Sequence, residues 1–524
     1  MTSHESFDVV IVGGGHNGLV AAGYLARAGL RVRLLERLEE VGGAAVSAQA
    51  FDGVDARLSR YAYLVSLFPA LIATDLGADI RLARRRFASY TPNPADGGRT
   101  GLLIGPPSSF GAIGAAADEA GFGDFYRRCR TVTEPLWPTL TEPLRRRGQA
   151  RRDVLATGDR DAAAAWEALI DHPVGTAITD AVSSDLVRGV MATDALIGTF
   201  SRLDDPSLQQ NVCFIYHLLG GGTGEWDVPI GGMGAVTGAL AGAARRHGAD
   251  IVTGAEVVAL SPDGEVHYRR GQDEYRVQGR HVLANVTPAV LAGLLREQAP
   301  ELADGAQVKV NLMLRRLPRL RDASVTPEQA FGGTFHINES WTQLDAAYNA
   351  AESGRLPAPM PCEIYCHSLT DPSILSPELR AAGAATLTVF GLHVPHRLQA
   401  ADPDTREKLT AAVLDSLNSV LAEPIQDVVM SDAHGRPCIE AKTTVDLETS
   451  LGLTGGNIFH GALQWPFADD DDPLDTPARQ WGVATAHDRI LLCGSGARRG
   501  GAVSGVGGHN AAMAVLASQS QLRR

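Results

Sequence analysis

Residues 7–18 read FDVVIVGGGHNG, and this stretch decides how the chain begins to fold. Phe7–Val12 is short, β-branched and apolar, the composition of a buried parallel strand. Leu19–Ala28 (LVAAGYLARA) predicts a helix with small residues on its packing face, ended by Gly29. Arg31–Glu36 (RVRLLE) predicts a second strand. Between the first strand and the helix lies Gly13-x-Gly15-x-x-Gly18, with His16 and Asn17 in the same turn. The first glycine permits the tight turn, the second lets a pyrophosphate approach the backbone, and the third lets helix and strand pack closely. Unpaired N–H groups and the helix dipole then favour negative charge at the helix start. Glu36 stands about 20 residues on, where a carboxylate meets ribose hydroxyls. The unit is a dinucleotide-binding β-α-β turn.

The next segment distinguishes one dinucleotide from another. After Glu36 come Arg37, Leu38, Glu39, Glu40 and Val41, then Gly42-Gly43-Ala44-Ala45. An acid followed by a Gly-Gly-small-small run resembles the second phosphate-contacting segment of glutathione-reductase-type FAD proteins. The chain's end points the same way. Gly494-Ser495-Gly496 follows the strand candidate Ile490–Cys493, and Gly500–Ala512 reads GGAVSGVGGHNAA directly before a helix. Dense glycine suits backbone pressed against a planar ring, and a helix start there aims its positive end at a flavin that becomes anionic on reduction. Gly494, Gly505, Val506 and Asn510 are the expected contacts at this end, and Val257 joins the cofactor set from the strand candidate Glu256–Leu260. The cofactor expected is FAD.

The rest of the chain sets the organisation. At 524 residues it exceeds what one core serves. Met233–Arg246 reads as helix; Asp250–Thr253 and Arg280–Ala284 read as further strands; residues 290–440 look mixed, with a strand candidate at Ala385–Leu392 and a helix at Thr405–Leu421. The expected class is α/β plus α+β. A discontinuous Rossmann-like FAD-binding domain of glutathione-reductase type (1–60, 225–290 and 440–524) carries an inserted substrate domain (61–224 and 291–439). Gly220–Gly224 (GGGTG) follows no convincing strand, so it predicts no second nucleotide unit, and no CxxC redox centre is present.

A net charge of −13 opposes a nucleic-acid partner. No run of 18 apolar residues predicts a membrane span. Six scattered cysteines, with Cys362 and Cys366 lacking a matching Cys/His pair, predict free thiols and no metal. The expected location is cytoplasmic or peripheral to a membrane, and a homodimer is compatible with the sequence.

The C-terminal run resembles the Gly-rich flavin motif of phytoene-desaturase-like enzymes. The opening GGGHNG, the stretch Phe51–Tyr90 and Gly452–Gly461 (GLTGGNIFHG) are similar to one branch of that superfamily, the pyridine nucleotide-disulphide oxidoreductase domain-containing protein two family. The resemblance implies FAD, dehydrogenation of an apolar or conjugated small molecule, and re-oxidation by oxygen or a quinone. The chain departs from the pattern at Arg498-Arg499, where relatives usually place His-Pro, and at Ala502, where they place a third glycine.

Two histidines are the catalytic candidates. His460 sits in an apolar Ile-Phe-His-Gly context, and His509 beside the expected flavin-facing helix start. The reaction expected is removal of two hydrogens to make C=C or C=N. An amine or natural-product oxidase, and a flavin-bound partner protein without turnover, are the alternatives.

Overall fold

The computed structural model describes residues 5–301 and 303–522. Glu5–Val12 is buried from Val9 onward and pairs in parallel with Val32–Leu35 on one side and Asp273–Ala284 on the other. Asp250–Val252 extends the parallel row beyond Val32–Leu35, and Ile490–Leu492 adds to the C-terminal end of Asp273–Ala284. Beginning, middle and end of the chain thus meet in one sheet of seven strands. The helices His16–Arg27, Met233–Arg246 and Val506–Leu522 pack together on it, burying Leu19, Leu240 and Val515 in one core.

Most of the strand expectations are found close to their predicted positions, but one is extended. Asp273–Ala284 is a twelve-residue strand, where the sequence shows only its apolar end from Arg280. Its first half pairs antiparallel with Glu265–Arg270, which pairs in turn with Ala255–Leu260. Asp273–Arg276 is exposed, so hydrophobic patterning is silent there.

A second seven-stranded sheet forms the inserted part. It runs Ile439–Lys442, Val308–Leu314, Ala385–Gly391, Cys362–Tyr365, Thr334–Ile337, Ser89–Pro92 and Gly101–Ile104. Two of these strands, Ser89–Pro92 and Gly101–Ile104, come from residues 61–224, and Ser89–Pro92 pairs in parallel with Thr334–Ile337. Helices between Asp118 and Leu219 build a separate core around Trp166, Phe214 and Phe125 against one end of this sheet. Among the described residues no helix is long and apolar enough to cross a membrane. The six cysteines are free and buried.

Candidate functional site

The glycine turn has the geometry its spacing predicts. Gly13 has φ +99, and a Cβ there would lie 2.6 Å from the Asn285 carbonyl oxygen. A Cβ at Gly18 would lie 2.3 Å from the Gly13 carbonyl oxygen, so any larger residue pushes helix from strand. Asn285 braces the turn, its Nδ2 donating to the Gly13 carbonyl at 2.9 Å. The helix His16–Arg27 starts at Gly15 with no side-chain cap. Its first N–H groups are therefore left for a ligand. Glu36 is buried and accepts from the Gly14 N–H at 2.7 Å and the Leu38 N–H at 2.8 Å.

These residues open into one cavity of about 1090 Å³. That exceeds the roughly 300–1,000 Å³ of a typical small-molecule pocket. Its dinucleotide end is lined by Gly13, Gly15, His16, Glu36, Arg37, Gly43, Ala44 and Val257. From there it passes His460, Ser495 and Gly501–Val503 and ends among residues of the inserted sheet and helices, including Tyr63, Arg85, Asp194, Lys309, Glu363 and Tyr365. The wall there is mixed, with charged groups among aromatic ones.

Several expected contacts stand behind this wall. Asn17 lies against the C-terminal helix, its Oδ1 accepting from the Gly508 N–H. Gly18 and Gly42 pack against backbone and Val46. The Ala45 carbonyl accepts from Thr237. Gly494 abuts Asn285 and His460. Gly505 packs on Phe68 and Val20, Val506 belongs to the helical core, and Asn510 donates to the Leu140 carbonyl at 3.1 Å.

The histidines separate. His460 lines the cavity with φ +65 and a buried Nδ1 that has no partner. Burial pushes its pKa down to about 4. His16 is also pushed down to about 4, by burial first and then by His460. It faces His460 and the Ala502 backbone rather than the phosphate turn alone, and its Nε2 is unpartnered. Both rings are neutral at physiological pH. His509 requires correction as a catalytic candidate. It is not on the cavity wall; it packs edge-on against Tyr24 and Trp481 at 5.1 and 5.9 Å and pairs with Asn510. The helix starts at Val506, three residues before it, and so turns the ring away.

The departures in the C-terminal run have structural work. Arg499 is buried and donates to the carbonyls of Thr139, Glu142 and Trp481. Arg498 bonds Gln464, the Phe467 carbonyl and Asp472. Arg499 thus clamps the Gly-rich loop to the segment around Thr139 and Glu142, and Arg498 ties it to Gln464–Asp472. Ala502 keeps a left-handed backbone, φ +58, without being glycine.

Sequence reasoning missed Lys309. It is buried in Val308–Leu314, with Nζ donating to the Ser59 and Tyr61 carbonyls at 2.6 and 2.7 Å and lying 4.7 Å from the Tyr63 ring centroid. Burial lowers its pKa well below the lysine range, against a weaker pull from Glu440. The signal was available: a lysine inside an otherwise apolar strand is rare unless it has work to do. His336 and Glu363 carry the same signal in TFHI and CEIY, both strands buried throughout. His336, Glu339 and Glu363 form a group of possible metal ligands within 4.8 Å of one another, which the sequence reading did not anticipate.

With the cavity and its turn placed, comparison with known proteins becomes specific. Pyridine nucleotide-disulfide oxidoreductase domain-containing protein 2 of Rattus norvegicus is 30% identical over 97% of this chain and 93% of its own. The chain belongs to that family. An uncharacterized protein of Mycobacterium tuberculosis is 69% identical across the full length of both chains. A profile described as NAD(P)-binding Rossmann-like domain matches residues 11–71. It spans the glycine turn, the helix and Glu36. Among solved structures, a putrescine oxidase variant superposes with TM-score 0.58 at 16% identity, over 99% of this chain and all of the other, which shows a shared fold. The protein is a pyridine nucleotide-disulfide oxidoreductase domain-containing protein 2 family member, an oxidoreductase built on a dinucleotide-binding domain.

Proposed function

We propose that this family member is an FAD-dependent oxidoreductase that removes two hydrogens from a small-molecule substrate, making C=C or C=N, with oxygen or a quinone as final acceptor. One observation carries the reading: a single cavity runs from the glycine turn to the inserted sheet. A dinucleotide on the turn and a substrate among the inserted residues would meet inside it.

The residues present fit FAD. The uncapped helix start and Gly15 suit a pyrophosphate, and Glu36 and Arg37, which line the cavity beside them, would hold the ribose. Val257 lies further along, toward an adenine. The orphaned buried atoms His16 Nε2 and His460 Nδ1 stand where the cavity continues past the turn. FAD supplies a two-electron acceptor when bound. The Gly-rich loop Gly501–Val503 excludes water from one face of the cavity. Lys309 Nζ, two of its protons held by carbonyls, keeps one position for a proton or a water at the cavity wall. Neutral His460 can accept a proton at Nδ1. Gly220–Gly224 continues the helix Gln209–Leu219 rather than a strand, which supports a flavin reduced by substrate rather than by nicotinamide.

Acid precipitation of the purified protein is expected to release FAD into a yellow supernatant, and anaerobic NADH or NADPH to bleach the flavin slowly or not at all. FMN in the supernatant, or a flavin-free protein, would refute the cofactor assignment. Fast saturable bleaching by either nucleotide would make the protein a reductase.

A further inference from the structure

The inner end of the cavity holds more negative charge than it balances. Asp194, in the turn Thr193–Ala195, lines the cavity, and its carboxylate has no hydrogen bond or ion pair to any described residue. Beside it the Thr193 hydroxyl donates to Glu363 Oε1 at 3.0 Å. The Tyr365 hydroxyl donates to Glu363 Oε2 at 2.5 Å. Glu363 is 3% exposed, so these hydroxyls fix the orientation of a carboxylate that faces the cavity. Behind it the His336 Nδ1 meets Glu339 Oε2 at 2.6 Å and Glu363 Oε1 at 3.9 Å. Glu339 is fully buried, and its Oε1 has no partner.

Two cations answer these three carboxylates. Arg85 donates to the Trp226 carbonyl and the Thr334 hydroxyl and lies 5.8 Å from the Tyr365 ring centroid, with no carboxylate in ion-pair contact. His336 is the other; burial opposes its charge, but Glu339 and Glu363 raise its pKa. Lys309 lines the same end, but burial lowers its pKa well below the lysine range; without its charge, Asp194, Glu339 and Glu363 against Arg85 and His336 leave one negative charge in excess when these five are ionised. Unbalanced charge is costly in a low-dielectric site.

We propose that Asp194 and Glu363 form a cation subsite, and that the substrate carries a protonated amine at one end of an apolar body. This rests on reading the cavity as the substrate site. An ammonium needs only the free Asp194 carboxylate and the remaining lone pairs of Glu363, with the Tyr63, Phe122 and Tyr126 rings of the cavity wall for its chain. A divalent metal on His336, Glu339 and Glu363 would first have to break the imidazole–Glu339 contact. A proton is the competing occupant. Burial and then the Glu339 charge push Glu363 up to about 7. The groups facing Glu363 are Tyr63, Arg85, Asp194, the Cys213 thiol, His336, Glu339 and Tyr365.

The test uses the purified full chain with n-octylamine, n-octanol and n-octanoate, read by thermal shift and by perturbation of the bound flavin spectrum. The amine is expected to bind roughly tenfold or more tightly than the other two at about pH 8. Its affinity is expected to fall about tenfold by about pH 6, as the Glu363 proton competes. Asp194→Asn and Glu363→Gln are each expected to remove most of the preference while moving octanol binding about twofold or less. Equal binding of amine and alcohol in the wild type overturns the proposal, even if neither variant folds. Preference for octanoate overturns it in favour of an anion site at Arg85. Zinc or manganese binding that is lost in Glu339→Gln and excludes the amine overturns it in favour of a metal site. Failure of the FAD reading shows separately as flavin-free protein, because the thermal shift needs no flavin.

Discussion

Replacing Glu36 with alanine tests whether the carboxylate binds cofactor or only braces its own loop. In the structure it does the second visibly, accepting from Gly14 and Leu38 N–H groups while lining the cavity. Its removal leaves a buried Gly14 N–H unsatisfied, at a cost of roughly 1–3 kcal/mol to the fold. That cost falls on empty and loaded protein alike and does not change FAD affinity by itself. The ribose contact is separate: a hydrogen bond to a charged acceptor contributes roughly 1.5–3 kcal/mol, or about a 10- to 150-fold rise in the FAD dissociation constant when lost. Glu36→Gln keeps an amide oxygen for one backbone N–H and should fall between wild type and alanine on both measures. The assay is thermal unfolding of the FAD-free protein together with fluorescence titration by FAD. A lowered melting temperature with wild-type FAD affinity would show that Glu36 is a brace alone.

Three further outcomes follow from the burial of charged groups. Lys309→Met should slow flavin reduction by substrate by roughly 10²-fold or more while FAD stays bound, as expected for loss of a positioned proton carrier; an unchanged anaerobic bleaching rate would remove Lys309 from the chemistry. Glu363 has a raised pKa, so its stabilising contribution is present below the ordinary carboxylate range and is lost as pH rises through about 7. The melting temperature of Glu363→Gln relative to wild type should therefore climb between about pH 5 and pH 8, and a fall over that range would contradict the shift. Because burial holds His460 and His16 near 4, flavin reduction should show no histidine titration near neutrality; a kinetic pKa near 6.5 that vanishes in His460→Gln would contradict it.

The strands and helices at the two ends of the chain were legible because each is a local pattern. Gly13, Gly15 and Gly18 are read from one turn, and in the structure they lie close to Asn285, with Gly18 against the Gly13 carbonyl. His509 misled for the same reason: its neighbours in sequence are flavin-loop residues, but a helix that begins at Val506 sends its ring toward Tyr24. The inner cavity was not legible because its members come together only through long-range pairing. Ser89–Pro92 must join Thr334–Ile337, and Cys362–Tyr365 must lie beside it, before Arg85, His336 and Glu363 share a wall. What the sequence did show was each anomaly alone, a charge within an apolar strand, without the partner that explains it.

The charged groups at the two ends of the cavity differ in how they are satisfied. At the end near the glycine turn, Glu36 is satisfied by backbone, and His16 and His460 are neutral. A developing negative charge there would meet N–H groups and helix dipole. The inner end adds the free Asp194 carboxylate, Glu363 and Arg85. A substrate with one polar end gains most by placing that end among the ions and its apolar body toward the turn. That orientation presents C–H bonds, rather than the charged group, to the region that would hold the redox ring. The Arg499 clamp ties the two parts together: the loop Gly501–Val503 is anchored beside Thr139 and Glu142, so its position along the cavity depends on the packing of residues 61–224.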